Sequence, residues 1–399
     1  MNNTIRPFTI NIPQEEIDDL NQRLTLSRFP AGKADDWKYG APVSYLQKIA
    51  HYWQTTFNWK KQEAWLNQYP QYIANINGQP IHFLHIKSAD PNAIPLMLIH
   101  GYPSSFVEFI KIAGLLTNPS QQGMEPTVSF HLIIPSIPGF GFSIPANNES
   151  WDLIKIAAVF AELMTALGYE KFAAHGTDMG AGITSMLSAI AGHRLLGTHI
   201  NTDYTAVTGM GMLPQDLSSF SDDEKKQIAA FRDYEKKETA YLKILSTKPQ
   251  TLAYPLTDSP VGLLGWIMEK YQAWTNPAKH LPEDAIDLDL MLTSISIYWF
   301  NKLGESAAYT LYDGMNMSFD WNTQSGDTNE QSWAPPKVPS AMAAFGGDGA
   351  LLKKLLGPLG NPDRWSSYDE GLHFPAMECP ELLAKDIYSF FQAYCVPTV

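Results

Sequence analysis

Cysteine, positive charge and long apolar runs are all scarce in this chain of 399 residues. Its two cysteines, Cys379 and Cys395, form no disulfide framework and match no metal-binding spacing. Acidic residues outnumber basic ones by 41 to 28, so the net charge of −13 gives no electrostatic attraction to nucleic acid or to an anionic membrane. The first residues lack an apolar signal-peptide core, and no apolar stretch is long enough to cross a bilayer. We therefore expect a soluble, cytoplasmic protein without a membrane anchor.

Aromatic residues are plentiful instead. The chain has 11 Trp, 18 Tyr and 19 Phe, while only 17% of its residues are charged. Such side chains build a hydrophobic core, and they also line pockets that bind apolar ligands.

Short apolar runs alternate with amphipathic helical stretches in the middle of the chain. Runs beginning at Pro95, Phe130 and Lys171 each lead into a turn rich in glycine or proline. This pattern is typical of buried parallel strands covered by helices on both faces. Nearer the N-terminus, Asn77-Gly78 between two alternating segments predicts a β-hairpin. The sequence therefore favours the α/β class.

The alternating pattern stops near Tyr204, where a long helical segment interrupted by prolines begins, and it resumes after Pro335-Pro336. We predict four segments on this basis. Residues 1–90 are an N-terminal extension of helices plus a hairpin that leads into the sheet, and residues 91–204 are the first part of the α/β core. Residues 205–336 are a helical cap, and residues 337–399 are the second part of the core.

The pentapeptide Gly176-Thr-Asp-Met-Gly180 lies between a predicted strand and a predicted helix. A G-x-nucleophile-x-G pattern predicts a sharp elbow, here with Asp178 at the position where many hydrolases carry Ser. The glycines are needed because neighbouring side chains would clash in so sharp a turn. Glycine-rich turns between a strand and a helix also occur in nucleotide-binding folds, so the pattern alone leaves a capping aspartate open.

Other parts of a hydrolase site occur in the expected order. The segment His100-Gly-Tyr-Pro103 follows a predicted strand, and in α/β-hydrolases such a loop donates one backbone N–H to an oxyanion hole. The backbones of Tyr102 and Met179 are the predicted donors. Asp348 follows a late predicted strand, and His373 follows it on a loop, which completes the order nucleophile, acid, histidine.

With these motifs, the chain resembles the microsomal-type epoxide hydrolases of the α/β-hydrolase fold over nearly its full length. The opening segment Pro7–Pro13, the loop His100–Phe109 and the histidine segment Gly371–Ala384 carry the resemblance. It implies an α/β-hydrolase fold with a mostly parallel central sheet, a helical cap and an N-terminal extension.

Three positions depart from the usual family pattern. Met179 replaces the Trp that usually follows the nucleophile, Asp348 stands where the acid is often Glu, and Leu372 replaces a Gly before the histidine. The backbone donor at Met179 survives this change, but the shape of the pocket is expected to differ.

The resemblance implies an epoxide hydrolase that needs no cofactor and no metal. Asp178 would open the epoxide to form an ester, and water activated by His373 would hydrolyse that ester to a vicinal diol, with Asp348 orienting the imidazole. A serine at the elbow would leave an ether that water cannot cleave, so an aspartate there is informative about the substrate.

The resemblance also implies two cap tyrosines that donate hydrogen bonds to the epoxide oxygen. Tyr241 matches the first of them. Tyr312 is assigned as the second, with Tyr309 as the fallback. Phenols suit this task because they are neutral at pH 7, with a pKa of about 10, and can donate from an apolar wall.

Two alternatives use much of the same site. A haloalkane dehalogenase would share the aspartate and the histidine, but it usually binds halide through a Trp N–H beside the nucleophile, which Met179 cannot supply. A non-catalytic α/β-hydrolase homologue would only bind its ligand. The expected partners are a small apolar epoxide and water, with no nucleic acid, and a homodimer stays open because related enzymes are often dimeric.

Overall fold

The computed structural model describes residues 4–122, 128–147, 149–317 and 337–395. Its strands are β1 (Ile5–Phe8), β2 (Gln71–Ile76), β3 (Gln79–Ile86), β4 (Ile94–Ile99), β5 (Phe130–Pro135), β6 (Phe172–Gly176), β7 (Leu195–Thr202), β8 (Ser340–Ala344) and β9 (Arg364–Ser367). Its first seven helices are α1 (Gln14–Leu26), α2 (Val43–Thr55), α3 (Trp59–Leu66), α4 (Ile110–Thr117), α5 (Leu153–Ala166), α6 (Met179–Ala191) and α7 (Tyr204–Gly209). The later helices are α8 (Asp222–Glu238), α9 (Ala240–Leu245), α10 (Pro249–Asp258), α11 (Pro260–Trp274), α12 (Leu288–Phe300), α13 (Leu303–Met315), α14 (Gly349–Leu356), α15 (Pro375–Glu378) and α16 (Pro380–Tyr394).

The strands form one sheet in the order β1-β2-β3-β5-β4-β6-β7-β8-β9. The pairings from β1 through β3 to β5 are antiparallel, and all pairings from β5 to β9 are parallel. The predicted hairpin is confirmed: Ile76 pairs with Gln79 across Asn77-Gly78, and both turn residues have positive φ angles. The carboxyl ends of the parallel strands meet at one edge, where ligands usually bind in such sheets.

The central strands are buried on both faces because helices cover them. Every residue of β6 is buried, and four consecutive residues of β4, from Leu96 to Ile99, are fully buried. Helices α5 and α6 pack together as one layer, and α4 and α16 pack together as another. The predicted α/β-hydrolase fold, with a mostly parallel sheet, is confirmed.

Helices α8 to α13 lie between β7 and β8, in the segment predicted to be a helical cap. The N-terminal helices contact this segment: α1 and α2 pack against α11, and α3 packs against α12. One bond across this contact is buried, since the Trp53 Nε1 donates to the Ser296 Oγ at 3.0 Å. The predicted boundary at Pro335-Pro336 lies outside the described residues.

One helical prediction differs from the structure. The apolar pattern predicts one helical stretch from about Val43 to Tyr69, but α2 ends at Thr55 and α3 begins at Trp59. Asn58 explains the break, because its side chain accepts a hydrogen bond from the Lys61 N–H and so caps α3. Within the described parts of the chain, no helix is both long and apolar enough to cross a membrane.

Candidate active site

Asp178 lies at the sharp elbow between β6 and α6. Its φ of 52° and ψ of −123° are unusual for a residue with a side chain and indicate local strain. A Cβ atom on Gly176 would lie 2.1 Å from the Gly180 carbonyl oxygen, and one on Gly180 would lie 2.0 Å from the Ile99 carbonyl oxygen. Only glycine fits both positions, so the close packing that the sequence predicts around the nucleophile is present.

The loop after β4 and the start of α6 provide backbone donors at the Asp178 carboxylate. The Tyr102 N–H donates to the Asp178 Oδ1 at 2.8 Å. Met179 is the first residue of α6, so its N–H belongs to the helical turn that has no acceptor within the helix. Both predicted oxyanion donors therefore lie beside Asp178, and the Tyr102 N–H already binds its carboxylate.

His373 lies on the loop between β9 and α15, with its two ring nitrogens facing different carboxylates. The Nε2 atom lies 3.7 Å from the Asp178 Oδ2, and the Nδ1 atom lies 3.1 Å from the Asp203 Oδ2. The Thr205 Oγ1 also lies 3.0 Å from Nδ1. The Trp274 carbonyl accepts from the His373 N–H at 3.0 Å, and the two rings are in contact. This geometry orients Nε2 toward the Asp178 carboxylate.

The carboxylate that contacts the His373 Nδ1 is not the one predicted from the sequence. Asp203, which directly follows β7, occupies the position that was predicted for Asp348. Its other oxygen accepts from the Thr205 N–H, so the carboxylate is fixed at the start of α7. The Asp348 Oδ1 instead accepts from the Gln227 Nε2 of α8 at 2.7 Å.

The charges around His373 favour its protonated form. Burial alone would lower its pKa, but the carboxylates of Asp203, Asp178 and Glu108 outweigh this effect and raise the pKa to about 9. At neutral pH the free site therefore holds an imidazolium between Asp203 and Asp178.

Two glutamates near His373, the buried Glu108 and the partly buried Glu378, are not among the site residues predicted from the sequence. The Glu378 Oε1 accepts from the Leu372 and Phe374 N–H groups, on either side of the histidine, and so holds its loop. Glu108 is fully buried, has no hydrogen-bond partner for either carboxylate oxygen among the described residues, and burial raises its pKa to about 7. Both lie in segments that carry the family resemblance, His100–Phe109 and Gly371–Ala384. The sequence gives no feature that distinguishes them from other glutamates near a motif.

Tyr241, the first predicted phenol, lies on α9 beside Tyr102, whose N–H binds the Asp178 carboxylate. Its ring stacks parallel to that of Tyr102, with the centroids 6.4 Å apart, and it also contacts Trp274. Burial and the charge of Asp178 raise its pKa well above the usual value. The phenol therefore stays protonated and able to donate.

Tyr312, the second predicted phenol, does not face this site. Residues Ala307, Ala308 and Leu311 form the buried face of α13, whereas Tyr312 is 37% exposed. Tyr312 and its fallback Tyr309 line an open surface cavity of about 600 Å³ together with the start of α10. The helical register explains the error, because one residue rotates a side chain by about 100° around the helix.

The described residues contain no group of three or more His, Cys, Asp or Glu side chains arranged to hold a metal ion.

Comparisons with known proteins agree with this fold. The model "Epoxide hydrolase N terminus" matches residues 5–109, and the model "alpha/beta hydrolase fold" matches residues 94–241. Epoxide hydrolase 1 of Sus scrofa is 33% identical, over 97% of this chain and 88% of its own length.

Two solved structures are similar over almost their whole length. The Aspergillus niger epoxide hydrolase has a TM-score of 0.78 and 28% identity, covering 98% of this chain and 97% of that one. The juvenile hormone epoxide hydrolase of Bombyx mori has a TM-score of 0.77 and 27% identity, covering 98% and 94%.

The fold and the site define a hydrolytic enzyme of the α/β-hydrolase class. The chain belongs to the epoxide hydrolase family. The resemblance noted in the sequence is thereby confirmed.

Proposed function

We propose that this protein converts an apolar epoxide to a vicinal diol through a covalent ester on Asp178. One observation carries the proposal: the Asp178 Oδ1 is held by the Tyr102 N–H, while its Oδ2 faces the His373 Nε2. A carboxylate in this position can attack a carbon atom and later be released by activated water. The names of the relatives support the same reaction class.

In the first step, an Asp178 oxygen attacks one carbon of the epoxide. A new C–O bond forms, the strained C–O bond breaks, and its electron pair stays on the leaving oxygen. That oxygen needs a proton or a strong donor, which the Tyr241 phenol can supply from its position near Asp178. The proton is ultimately replaced from the His373 imidazolium, so the first step leaves a neutral imidazole.

Ester formation also changes the charge beside His373. Once Asp178 is esterified, one of the carboxylates that raise the pKa of His373 is neutral, so that pKa falls below its value of about 9 in the free site. A neutral imidazole at working pH is what general-base catalysis needs. The first step therefore prepares the base for the second.

In the second step, His373 takes a proton from water, and the resulting hydroxide attacks the ester carbonyl. The Tyr102 and Met179 N–H groups stabilise the negative oxygen of the tetrahedral intermediate. As it collapses, the C–O bond to the substrate breaks, and the proton of the added hydroxyl passes to the departing oxygen, so the diol leaves and the Asp178 carboxylate is restored. Asp203 orients the imidazole and stabilises its protonated form, which is the role that the sequence analysis assigned to Asp348.

The apolar character of the proposed substrate follows from the aromatic residues around Asp178. Trp266 and Trp274 of α11 contact Tyr102 and Tyr241 respectively, so aromatic side chains surround the region beside Asp178. Such a wall favours a hydrocarbon substituent on the epoxide over a charged one.

A product assay tests the proposed function. We expect purified protein to convert styrene oxide to phenylethanediol and to release no halide from 1-chlorobutane or 1-bromobutane. Chromatography of the diol and ion chromatography of halide measure both outcomes. Halide release without diol would favour the dehalogenase alternative, and absence of diol from a panel of aryl and alkyl epoxides would contradict the proposal.

A further inference from the structure

We propose that the phenol of Tyr102, and not that of Tyr312, is the second oxygen donor to the epoxide, acting together with Tyr241. This inference rests on the proposed function. It gives Tyr102 two separate roles, since its backbone N–H would serve ester hydrolysis and its side chain would serve ring opening.

The hydrogen bonds of Tyr102 leave its phenolic hydrogen unused. The Trp266 Nε1–H donates to the Tyr102 Oη, and an indole can only donate, so this bond does not employ the phenolic hydrogen. No acceptor for that hydrogen is found among the described residues. Tyr298 is the contrast within the same region, because its hydroxyl donates to the Ser104 carbonyl at 3.1 Å and is thereby occupied.

The position of Tyr102 also fits a donor. The residue is only 4% exposed, and its N–H binds the Asp178 carboxylate. Its ring is parallel to the Tyr241 ring within 8°, so two phenols from different parts of the fold lie side by side. Tyr102 belongs to the loop after β4 in the core, whereas Tyr241 belongs to α9 of the cap.

Each phenol is held by a second aromatic or charged contact. The Trp266 N–H fixes the Tyr102 hydroxyl. The buried Lys270 ammonium lies 4.8 Å from the centre of the Tyr241 ring. Donors that are fixed before the reaction need little reorganisation when negative charge develops on the epoxide oxygen.

The electrostatics couple proton donation to ring opening. Burial and the Asp178 carboxylate both raise the pKa of Tyr102, so the phenol is protonated while the nucleophile is free. When Asp178 attacks, its charge passes to the epoxide oxygen, and the carboxylate no longer opposes loss of a phenolic proton. One phenol then gives its proton to the alkoxide, the other donates a hydrogen bond, and the His373 imidazolium restores the lost proton.

Replacing Tyr102 with phenylalanine separates the two roles, because the variant keeps the ring and the backbone N–H. We expect Tyr102→Phe to slow ester formation about 10- to 100-fold and to change ester hydrolysis by less than about twofold. Stopped-flow tryptophan fluorescence with excess styrene oxide would give the rate of ester formation. The amount of ester in samples quenched at successive times would give the rate of ester hydrolysis. Tyr241→Phe should slow the same step by a similar factor, and Tyr254→Phe, which changes an exposed tyrosine of the surface cavity, should not.

Ester formation at the wild-type rate in Tyr102→Phe would overturn the inference, as would slowing in Tyr312→Phe with none in Tyr102→Phe. If Tyr102→Phe does not fold, 3-fluorotyrosine at position 102 tests the same point without removing the hydroxyl. Its more acidic phenol should alter the rate of ester formation, and an unchanged rate would overturn the inference. Failure of the underlying function is distinguishable, because wild-type protein would then form no ester at all.

Discussion

Replacing His373 with glutamine is expected to slow diol release by at least about a thousandfold while the ester on Asp178 still forms and accumulates. The attack on the epoxide uses Asp178 and the phenols, and in the variant solvent can restore the phenolic proton that His373 otherwise supplies. Hydrolysis, in contrast, needs a base at the position of Nε2. Mass spectrometry of the intact protein after mixing with styrene oxide should show the added mass of one epoxide. Peptide mapping should place it on Asp178.

Asp178→Ala is the contrasting variant, because it removes the nucleophile and leaves His373 in place. It should gain no mass and release no diol, and alanine avoids the deamidation that could restore activity to an asparagine variant. Normal diol release by His373→Gln, or a stable adduct on a residue other than Asp178, would contradict the proposed division of labour.

Replacing Asp203 with asparagine is expected to slow ester hydrolysis by about 10²- to 10⁴-fold, whereas Asp348→Asn should change it by less than about threefold. Asp203 accepts the hydrogen bond of Nδ1, so its carboxylate fixes the tautomer that leaves Nε2 free to act as a base. Asp348 contacts Gln227 on α8 instead. Single-turnover decay of the ester, measured for both variants and wild type, makes the comparison directly.

The pH dependence of ester hydrolysis in the two variants is a second test, because a purely structural defect would not shift the pKa of His373. The Asp203 carboxylate raises the pKa of His373, so its removal should move the pKa of the catalytic base to lower pH. Asp348→Asn should leave that pKa in place. Loss of hydrolysis in Asp348→Asn with normal hydrolysis in Asp203→Asn would restore the assignment predicted from the sequence.

The sequence predicts the elbow well because its geometry depends on local residues. Gly176 and Gly180 are required by the close approach of neighbouring backbone, and the spacing between them fixes the position of Asp178. The parallel sheet is predicted for a similar reason, since buried strands leave continuous apolar runs.

The choice between Asp203 and Asp348 as the partner of His373 depends on the directions of their side chains, which the sequence does not show. Both follow strands of the same sheet, and β7 and β8 are hydrogen-bonded neighbours, so their carboxyl ends are about one strand spacing, ~4.8 Å, apart. Either residue obeys the order nucleophile, acid, histidine. Only the side-chain directions, toward His373 for one and toward Gln227 for the other, separate them.

The second phenol could not be predicted for a similar reason, since the sequence does not show which side chains of α13 face the site. Tyr312 was selected by its place in a motif, but the register of α13 turns Leu311 inward and Tyr312 toward solvent. Tyr102 was selected for its backbone alone, because a sequence does not show that its ring lies beside that of Tyr241. The positions of residues within one short turn can thus be predicted from the sequence. Residues that are brought together by the packing of distant elements can be identified only from the structure.

The most direct test of the Asp178 ester is a single turnover of wild-type enzyme in ¹⁸O-labelled water, with enzyme in excess over epoxide. The new oxygen of the first diol should come from the Asp178 carboxylate, so that diol should carry no label and the label should appear in the aspartate. Labelled oxygen in the first diol, with an unlabelled Asp178, would show that water attacks the epoxide directly and would contradict the covalent mechanism.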